Sequence, residues 1–350
     1  MLTQRFHMQL SDRQKLILTL IIHEHIRTAQ PVGSRTIVDQ YDLSMSSATV
    51  RNEMAALTEY GLLRQPHTSA GRVPTEEGYR FFVGNLVQKS GLPTNTRRTI
   101  VHQFYQSRQD VEQWLRLAAS VLANQSQAAS LVTAPHSEKT IFKHLELIAT
   151  RGRQVLMVLV LMGGEIRQQF ISLAEPVSQE QLSTIAAEIS TLCVRCDADQ
   201  MARIRPQLDA LGEDILNVLL AEMALTEESA TGEIYLDGMT NVLSEPEFAE
   251  SEEARQALHI LEERSLLENL LASTMMNTDV GGIQVLIGGE GTWDELRQCS
   301  VVLARYGDPN TLTGSVGVLG PIRMPYDRTI STVRFVANVL SDLVSETLAV

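Results

Sequence analysis

The stretch from Pro31 to Phe82 reads PVGSRTIVDQYDLSMSSATVRNEMAALTEYGLLRQPHTSAGRVPTEEGYRFF. Its first half holds two short helical patterns separated by only four residues, Asp42 to Met45. Two helices joined by so short a turn cross steeply, as they do in proteins that read DNA with a helix-turn-helix. The stretch therefore predicts a DNA-binding protein.

Capping residues predict the helix boundaries around this turn. Ser11 and Gln14 have the spacing of a capping box, which predicts the start of a first helix. A second helix is predicted from Arg35 to Tyr41, and Ser46 is suited to be the N-cap of a third. Gly61 supplies the left-handed residue at which helices commonly end.

The third helix is predicted to have two distinct faces. Val50, Met54 and Leu57 recur at helical spacing, so we expect them to point into the core. Small residues on the other side allow the helix to lie deep in a groove. That opposite face carries Ala48, Arg51, Asn52 and Ala55.

Two side chains on this opposite face suit base recognition. Arginine pairs bidentately with guanine and asparagine with adenine in the major groove, so Arg51 and Asn52 are predicted to read bases. Ser47, Thr49 and Arg35 are predicted to position the helix on the DNA backbone.

A β-hairpin is predicted after the third helix. Residues 62–65 and 71–74 form its strands, and the polar residues 67–71 form its tip. Such a hairpin is the wing of a winged helix-turn-helix. Arg72, at the root of the tip, is predicted to contact a phosphate or the adjacent minor groove.

The alternative is a winged helix that binds proteins rather than DNA. The distribution of charge argues against it. Residues 1–98 contain 12 Lys and Arg against 8 Asp and Glu, a net charge of +4, whereas residues 99–350 contain 17 against 34, a net charge of −17. Phosphate repels an acidic body, so we expect only the N-terminal part to approach DNA.

The rest of the chain predicts an α+β domain with a helical insertion. Residues 145–172 hold short apolar runs broken by glycine, which predict adjacent antiparallel strands. Residues 206–274 are largely helical and acidic, strands return after them, and a final helix is predicted from about 325 to 348. Strands, a helical block and strands again indicate an interrupted α+β domain.

An apolar leucine stripe lies in the predicted insertion. Such a stripe either packs on its own domain or forms an interface between two copies of the chain. A helix-turn-helix protein that binds two half-sites needs two DNA-binding domains, which favours the interface. The predicted dimer contact consists of Leu258, Leu261, Leu267, Leu270 and Leu271.

No metal, cofactor or catalytic site is predicted. Cys193 and Cys196 have the spacing of a redox or metal pair, but such a site needs more ligands. The sequence carries no recognisable catalytic pattern, so the chain is predicted not to be an enzyme.

The sequence also has no apolar run of membrane-spanning length and no signal peptide pattern. We therefore expect a cytoplasmic protein that joins the nucleoid when bound to DNA.

Several segments resemble the bacterial heat-inducible transcription repressor family HrcA. Three lie near the N-terminus: PVGSRT at 31–36, SSATVRNEMAALTEYGLL at 46–63 and QPHTSAGRVPTEEGYRFFV at 65–83. LSEPEFAE at 243–250 and GSVGVLGPIRMPYDRTISTVRFVANVLSDLV at 314–344 follow in family order. The resemblance therefore covers essentially the whole chain.

The resemblance implies a function and a domain arrangement. It implies a dimeric repressor of chaperone genes that binds the CIRCE inverted-repeat operator, loses activity on heat shock and is maintained by the chaperonin GroEL. The alternative is a winged-helix regulator whose GAF-like domain senses a small ligand or redox state. Pattern and resemblance together predict a winged-helix domain at 1–90, a helical linker at 91–130, a GAF-like α+β domain in two parts at 131–205 and 277–350, and an inserted dimerisation domain at 206–276.

Overall fold

The computed structural model contains both helices and strands, so the fold is of the mixed α+β kind that the sequence predicts. The chain folds as two compact units. The first comprises residues 1–133, 234–306 and 315–343, and the second comprises residues 134–233, 307–314 and 344–350. The structure describes residues 9–67, 70–87, 91–106, 110–136, 140–162, 164–228, 232–250, 259–275, 278–308 and 312–347.

The N-terminal part of the first unit, which we call the head (residues 9–87), contains four helices and a hairpin. The predicted capping box of Ser11 and Gln14 is present, and the Ser46 side chain accepts a hydrogen bond from the Thr49 amide. Both predicted helix starts are therefore confirmed. The elements are α1 (Asp12–Thr28), α2 (Ser34–Tyr41), α3 (Ser47–Glu59), β1 (Leu63–Arg64), its antiparallel partner β2 (Val73–Pro74) and α4 (Glu76–Asn85).

Two glycines allow close packing inside the head. A Cβ atom on Gly71 would overlap the main chain of Val32, and one on Gly78 would overlap the carbonyl oxygen of Leu62. The hairpin and α4 are therefore packed directly against main chain. The buried apolar core of the head includes Leu10, Ile17, Leu18, Ile21, Ile22, Val32, Ile37, Val50, Met54, Leu57, Leu62, Leu63, Val73, Tyr79 and Phe82.

Two helices follow the head, α5 (Thr94–Gln106) and α6 (Val111–Ser126). The sequence predicts this segment to be a helical linker. Both helices are present, and α6 buries Trp114 and Leu122 and packs against the strand that follows it, β3 (Ala129–Thr133). The second of the two helices is therefore part of the α+β body.

The described part of the second unit contains a three-stranded antiparallel sheet and three α-helices. Its strands are ordered β4-β5-β6, as the pattern of residues 145–172 predicts. Alternate residues of β4 and β5 are buried in an apolar core with residues of α7 and α9. The elements are β4 (Phe142–Ala149), β5 (Gln154–Leu161), β6 (Ile166–Ser172), α7 (Gln179–Cys193), α8 (Ala198–Ala202) and α9 (Ala210–Glu228).

The remainder of the first unit, which we call the body, is built on a five-stranded sheet in the order β7-β3-β10-β9-β8. Among the helices in the described part of the chain, none is long and apolar enough to cross a membrane. The strands are β7 (Ile234–Asp237), β8 (Ile283–Ile287), β9 (Cys299–Gly307) and β10 (Thr313–Pro321), and the helices are α10 (Met239–Leu243), α11 (Pro246–Glu250), α12 (Arg264–Met275) and α13 (Tyr326–Thr347).

The two compact units do not follow the predicted domain bounds. Strands β4 to β6 form a sheet of their own and do not join the body sheet. Helices α9 and α12, which the sequence places together in an insertion at 206–276, pack in different units. Each element can be predicted locally, but the partner of a strand is chosen by pairings that are distant in sequence.

Candidate nucleic-acid interface

Helix α3 has the two faces that its sequence predicts. Val50, Met54 and Leu57 are buried in the core of the head. Successive residues lie about 100° apart around the helix axis, so a second set of side chains lies on the side opposite these three. Ala48, Arg51, Asn52 and Ala55 are all exposed, and we call these four residues the reading face.

Hydrogen bonds and an ion pair hold α3 in place. The Ser46 side chain accepts a hydrogen bond of 3.1 Å from the Thr49 amide and lies 3.0 Å from the Thr49 hydroxyl. An ion pair of 3.4 Å joins Arg13 on α1 to Glu53 on α3. Ser47 and Thr49 are only half-buried, which leaves part of each side chain accessible beside the reading face.

Arg35 and Arg64 are exposed on the head outside α3. Arg13 and Arg27 are exposed there too, but they pair with Glu53 and Glu24. Arg35 lies in the first turn of α2, as predicted. Arg64 lies on β1, directly after the buried Leu63, and the sequence analysis did not single it out. The alternation of a buried leucine and a cation on one short strand is the signal that identifies it.

The Arg72 side chain is hydrogen-bonded to α3 rather than pointing freely from the hairpin. Its Nε donates a hydrogen bond of 3.0 Å to the Thr58 hydroxyl, which in turn donates to the carbonyl oxygen of Met54. Its main chain pairs with that of Val32 at 2.8 and 2.9 Å. The geometry therefore lets Arg72 fix the hairpin relative to α3, in addition to any contact with phosphate.

A cleft of about 690 Å³ lies beside the hairpin in the first unit, and His25, Arg64 and Gln298 are among the residues that line it. His25 Nδ1 lies 2.8 Å from the Tyr79 hydroxyl. Burial and the nearby cations of Arg323 and Arg64 lower the pKa of His25 to about 4, although Glu247 opposes this shift. His25 is therefore neutral at physiological pH, and it serves as an uncharged packing and hydrogen-bonding group.

The leucines predicted to form a dimer contact are core residues of a single chain. Leu261, Leu267, Leu270 and Leu271 are buried against the body sheet, beside residues such as Val301. Their side chains are therefore not available to a partner in this conformation, and the structure favours the alternative in which the stripe packs on its own domain. Leu258 lies outside the described residues.

The cysteines have the properties of core residues rather than reactive thiols. Burial raises the pKa of both Cys193 and Cys299 to about 12, so their thiolate forms are scarce at neutral pH. Cys196 is half-buried and forms no disulfide with the other two described cysteines. Within the described part of the chain, no three His, Cys, Asp or Glu side chains are grouped to hold a metal ion.

Sequence comparison relates most of the chain to bacterial repressors. The family described as "HrcA protein C terminal domain" matches residues 112–330. The heat-inducible transcription repressor HrcA of Roseiflexus castenholzii is 44% identical over 345 residues, which cover 96% of this chain and 95% of that protein. The HrcA repressor of Herpetosiphon aurantiacus is 44% identical over 347 residues, which cover 97% of each chain. The similarity extends through the head, the body and the second unit.

A solved structure shares the fold. The crystal structure of a hypothetical protein at 2.2 Å resolution aligns with a TM-score of 0.60 and 24% sequence identity. The alignment covers 97% of this chain and 100% of the other. An experimental structure therefore contains a fold similar to that of this chain.

Proposed function

Because the chain belongs to the HrcA family of heat-inducible transcription repressors, we propose that it represses chaperone genes. In this proposal the chain binds the CIRCE inverted repeat as a dimer. Each copy contacts DNA through a winged-helix head, which is attached to a GAF-like body. The single observation that carries this proposal is the reading face of α3. Arg51 and Asn52 are exposed there, between the small side chains of Ala48 and Ala55. These side chains have the donors and acceptors that guanine and adenine edges require.

The charge of the chain supports the same orientation on DNA. The exposed arginines Arg35 and Arg64 lie in the head, where the net charge of residues 1–98 is +4. The remainder of the chain has a net charge of −17 and is repelled by phosphate. Phosphate contacts from the head supply nonspecific affinity, and the reading face supplies the preference for one sequence.

A dimer requires a surface other than the buried leucine stripe. We propose that the dimer surface is one face of the three-stranded sheet, which carries a row of apolar side chains. The row consists of Ile148 on β4, Leu156 on β5 and Phe170 on β6, which lie opposite one another on neighbouring strands. Phe170 is 66% exposed, and Ile166 on the same strand is 58% exposed. Apolar groups this accessible on adjacent strands are typical of an interaction surface, and a second copy of the chain is the partner that an inverted repeat requires.

Phe170→Glu should weaken the dimer, because it places a charge in the middle of this apolar row. We expect the dimer dissociation constant, measured by sedimentation equilibrium, to rise by about tenfold or more. Leu225→Glu is the matched control, since Leu225 is 57% exposed on α9 and lies outside the row. Equal dissociation constants for the two variants would place the dimer contact elsewhere.

The proposed heat response is tested by operator binding before and after mild heating. In a marginally stable protein, a loss of about 1–2 kcal/mol in the free energy of unfolding changes the active fraction several-fold. We expect heated protein to lose affinity for a CIRCE duplex and to regain it when GroEL is added, measured by fluorescence anisotropy at fixed salt. Operator binding that responds to neither treatment would contradict this regulation.

A further inference from the structure

Arg323, in the segment between β10 and α13, contacts both the body and the head. Its guanidinium forms a bidentate ion pair with Glu247, at 2.5 and 3.0 Å, and a further ion pair with Glu245. Its Nη1 donates a hydrogen bond of 3.2 Å to the main-chain oxygen of Ile26, in the last turn of α1. Carbonyl groups in the last turn of a helix lack helical partners, so this bond also caps α1.

Arg80, on α4, makes a second connection of the same kind. Its Nη2 donates a hydrogen bond of 2.7 Å to the main-chain oxygen of Ile287, at the end of β8, and its Nε lies 3.3 Å from Glu290. Within the head it pairs with Glu76 at 3.0 Å and Glu77 at 2.9 Å. Arg80 lies in the motif TEEGYR and Arg323 in GPIRMP, and the carboxylates that face Arg323 lie in LSEPEFAE. Each arginine therefore makes one contact between head and body.

Neither arginine is placed to bind DNA phosphate. The Arg323 side chain is only 12% exposed and that of Arg80 only 30%, and both face carboxylates. A partly buried ion pair adds little net stability, but removal of one partner leaves an uncompensated charge. Replacing either arginine would therefore disfavour the contact that it makes between head and body.

A buried aromatic contact accompanies the two arginines. The rings of Tyr79 in the head and Tyr326 in the body lie 5.9 Å apart. The Tyr326 hydroxyl lies 2.7 Å from the Ser300 hydroxyl and donates to the carbonyl oxygen of Ile322 at 2.7 Å. The reading face of α3 remains exposed while all these contacts are formed. They orient the head and do not cover the surface that reads DNA.

We propose that Arg80 and Arg323 are positioning residues for operator binding: they form a latch that holds each head in one orientation on its body, so that two heads can occupy two half-sites together. The inference rests on the proposed function. A fixed orientation spares the entropy that two freely rotating heads would lose on binding an inverted repeat. A fixed orientation does not change the affinity of a single head for a single half-site.

The test compares an intact inverted repeat with a duplex that holds one half-site. For Arg80→Gln and Arg323→Gln together, we expect the affinity for the inverted repeat to fall by about tenfold or more, with less than about a twofold change for the half-site. The slope of log affinity against log salt should stay unchanged, because no phosphate contact is removed. Arg297→Gln is the control, since Arg297 is an exposed body arginine paired with Asp294.

Each outcome bears on the latch. Equal losses on both duplexes, a changed salt slope, or tighter binding to the inverted repeat would overturn it. If the double variant fails to fold, a triple variant with Arg323→Gln, Glu245→Gln and Glu247→Gln takes its place. It removes one of the two contacts and leaves no carboxylate unpaired. Its affinity must also fall for the inverted repeat and not for the half-site. If the wild-type chain does not prefer the inverted repeat over a scrambled duplex, both the proposed function and the latch are overturned. If the wild-type chain has this preference and the variants keep it, only the latch is overturned.

Discussion

Asn52→Ala is expected to remove most of the preference for the operator over random DNA while leaving nonspecific affinity nearly unchanged. Asn52 is exposed on the reading face and lies next to Arg51, so its amide is free to pair with an adenine edge. Loss of a bidentate base contact costs about 1–3 kcal/mol of discrimination, a factor of roughly 5 to 150. The ratio of specific to nonspecific affinity at one salt concentration measures the effect.

The matched control for this variant is Asn85→Ala. Asn85 is also an exposed amide of the head, but it lies on α4 and donates to the carbonyl oxygen of Phe81. We expect its removal to leave the specificity ratio unchanged. A ratio that is equally reduced in both variants, or in neither, would contradict the assignment of the reading face.

Gly78→Ala should destabilise the head strongly, although glycine-to-alanine changes inside helices usually stabilise. The new Cβ would overlap the carbonyl oxygen of Leu62, which belongs to main chain and cannot rotate away. Overpacking of this kind costs about 1–3 kcal/mol or more. We expect a lower urea midpoint in circular dichroism and a smaller fraction of protein that binds operator.

Gly84→Ala provides an internal comparison on the same helix. Gly84 is exposed, and a Cβ there would meet nothing within 4 Å. We expect an unchanged or slightly higher midpoint, since the helix gains up to about 1 kcal/mol from the lower entropy of the unfolded chain. If Gly78→Ala behaved like Gly84→Ala, the close approach of α4 to Leu62 would be wrong.

Local signals explain why the head could be predicted closely. Ser46 is an N-cap whose side chain accepts from the third residue after it, and Val50, Met54 and Leu57 follow at helical spacing. Both signals act within one or two turns, so they need no knowledge of the rest of the fold. Ser178 shows the same kind of local signal, since it forms a capping box with Gln181 at the start of α7.

The leucine stripe could not be assigned from sequence because a core and an interface produce the same periodicity. The stripe of α12 faces the body sheet, where Leu270 and Leu271 are buried. In the second unit, Ile166 and Phe170 lie on one face of β6 and are exposed. Their spacing predicted a strand but did not show which face of the strand is buried. Exposure can be distinguished from burial only when the packing partners of both faces are known.

Contacts between side chains distant in sequence were also beyond prediction. The sequence places Arg72 at the root of the hairpin but does not show that its Nε meets Thr58 on α3. Arg323 and Ile26 are 297 residues apart along the chain, and only the fold brings them within hydrogen-bonding distance. Motif matches marked these segments as notable without indicating what they contact.

The most direct test of the central claim is a competition titration with a labelled CIRCE inverted repeat and an unlabelled scrambled duplex of the same length and composition. Specific repressors bind their sites about a thousandfold or more tightly than random DNA. We therefore expect the scrambled duplex to compete only at a large excess, at a fixed salt concentration near physiological. Competition at equal concentrations would show that the head does not read sequence and would contradict the assignment of this chain as an operator-binding repressor.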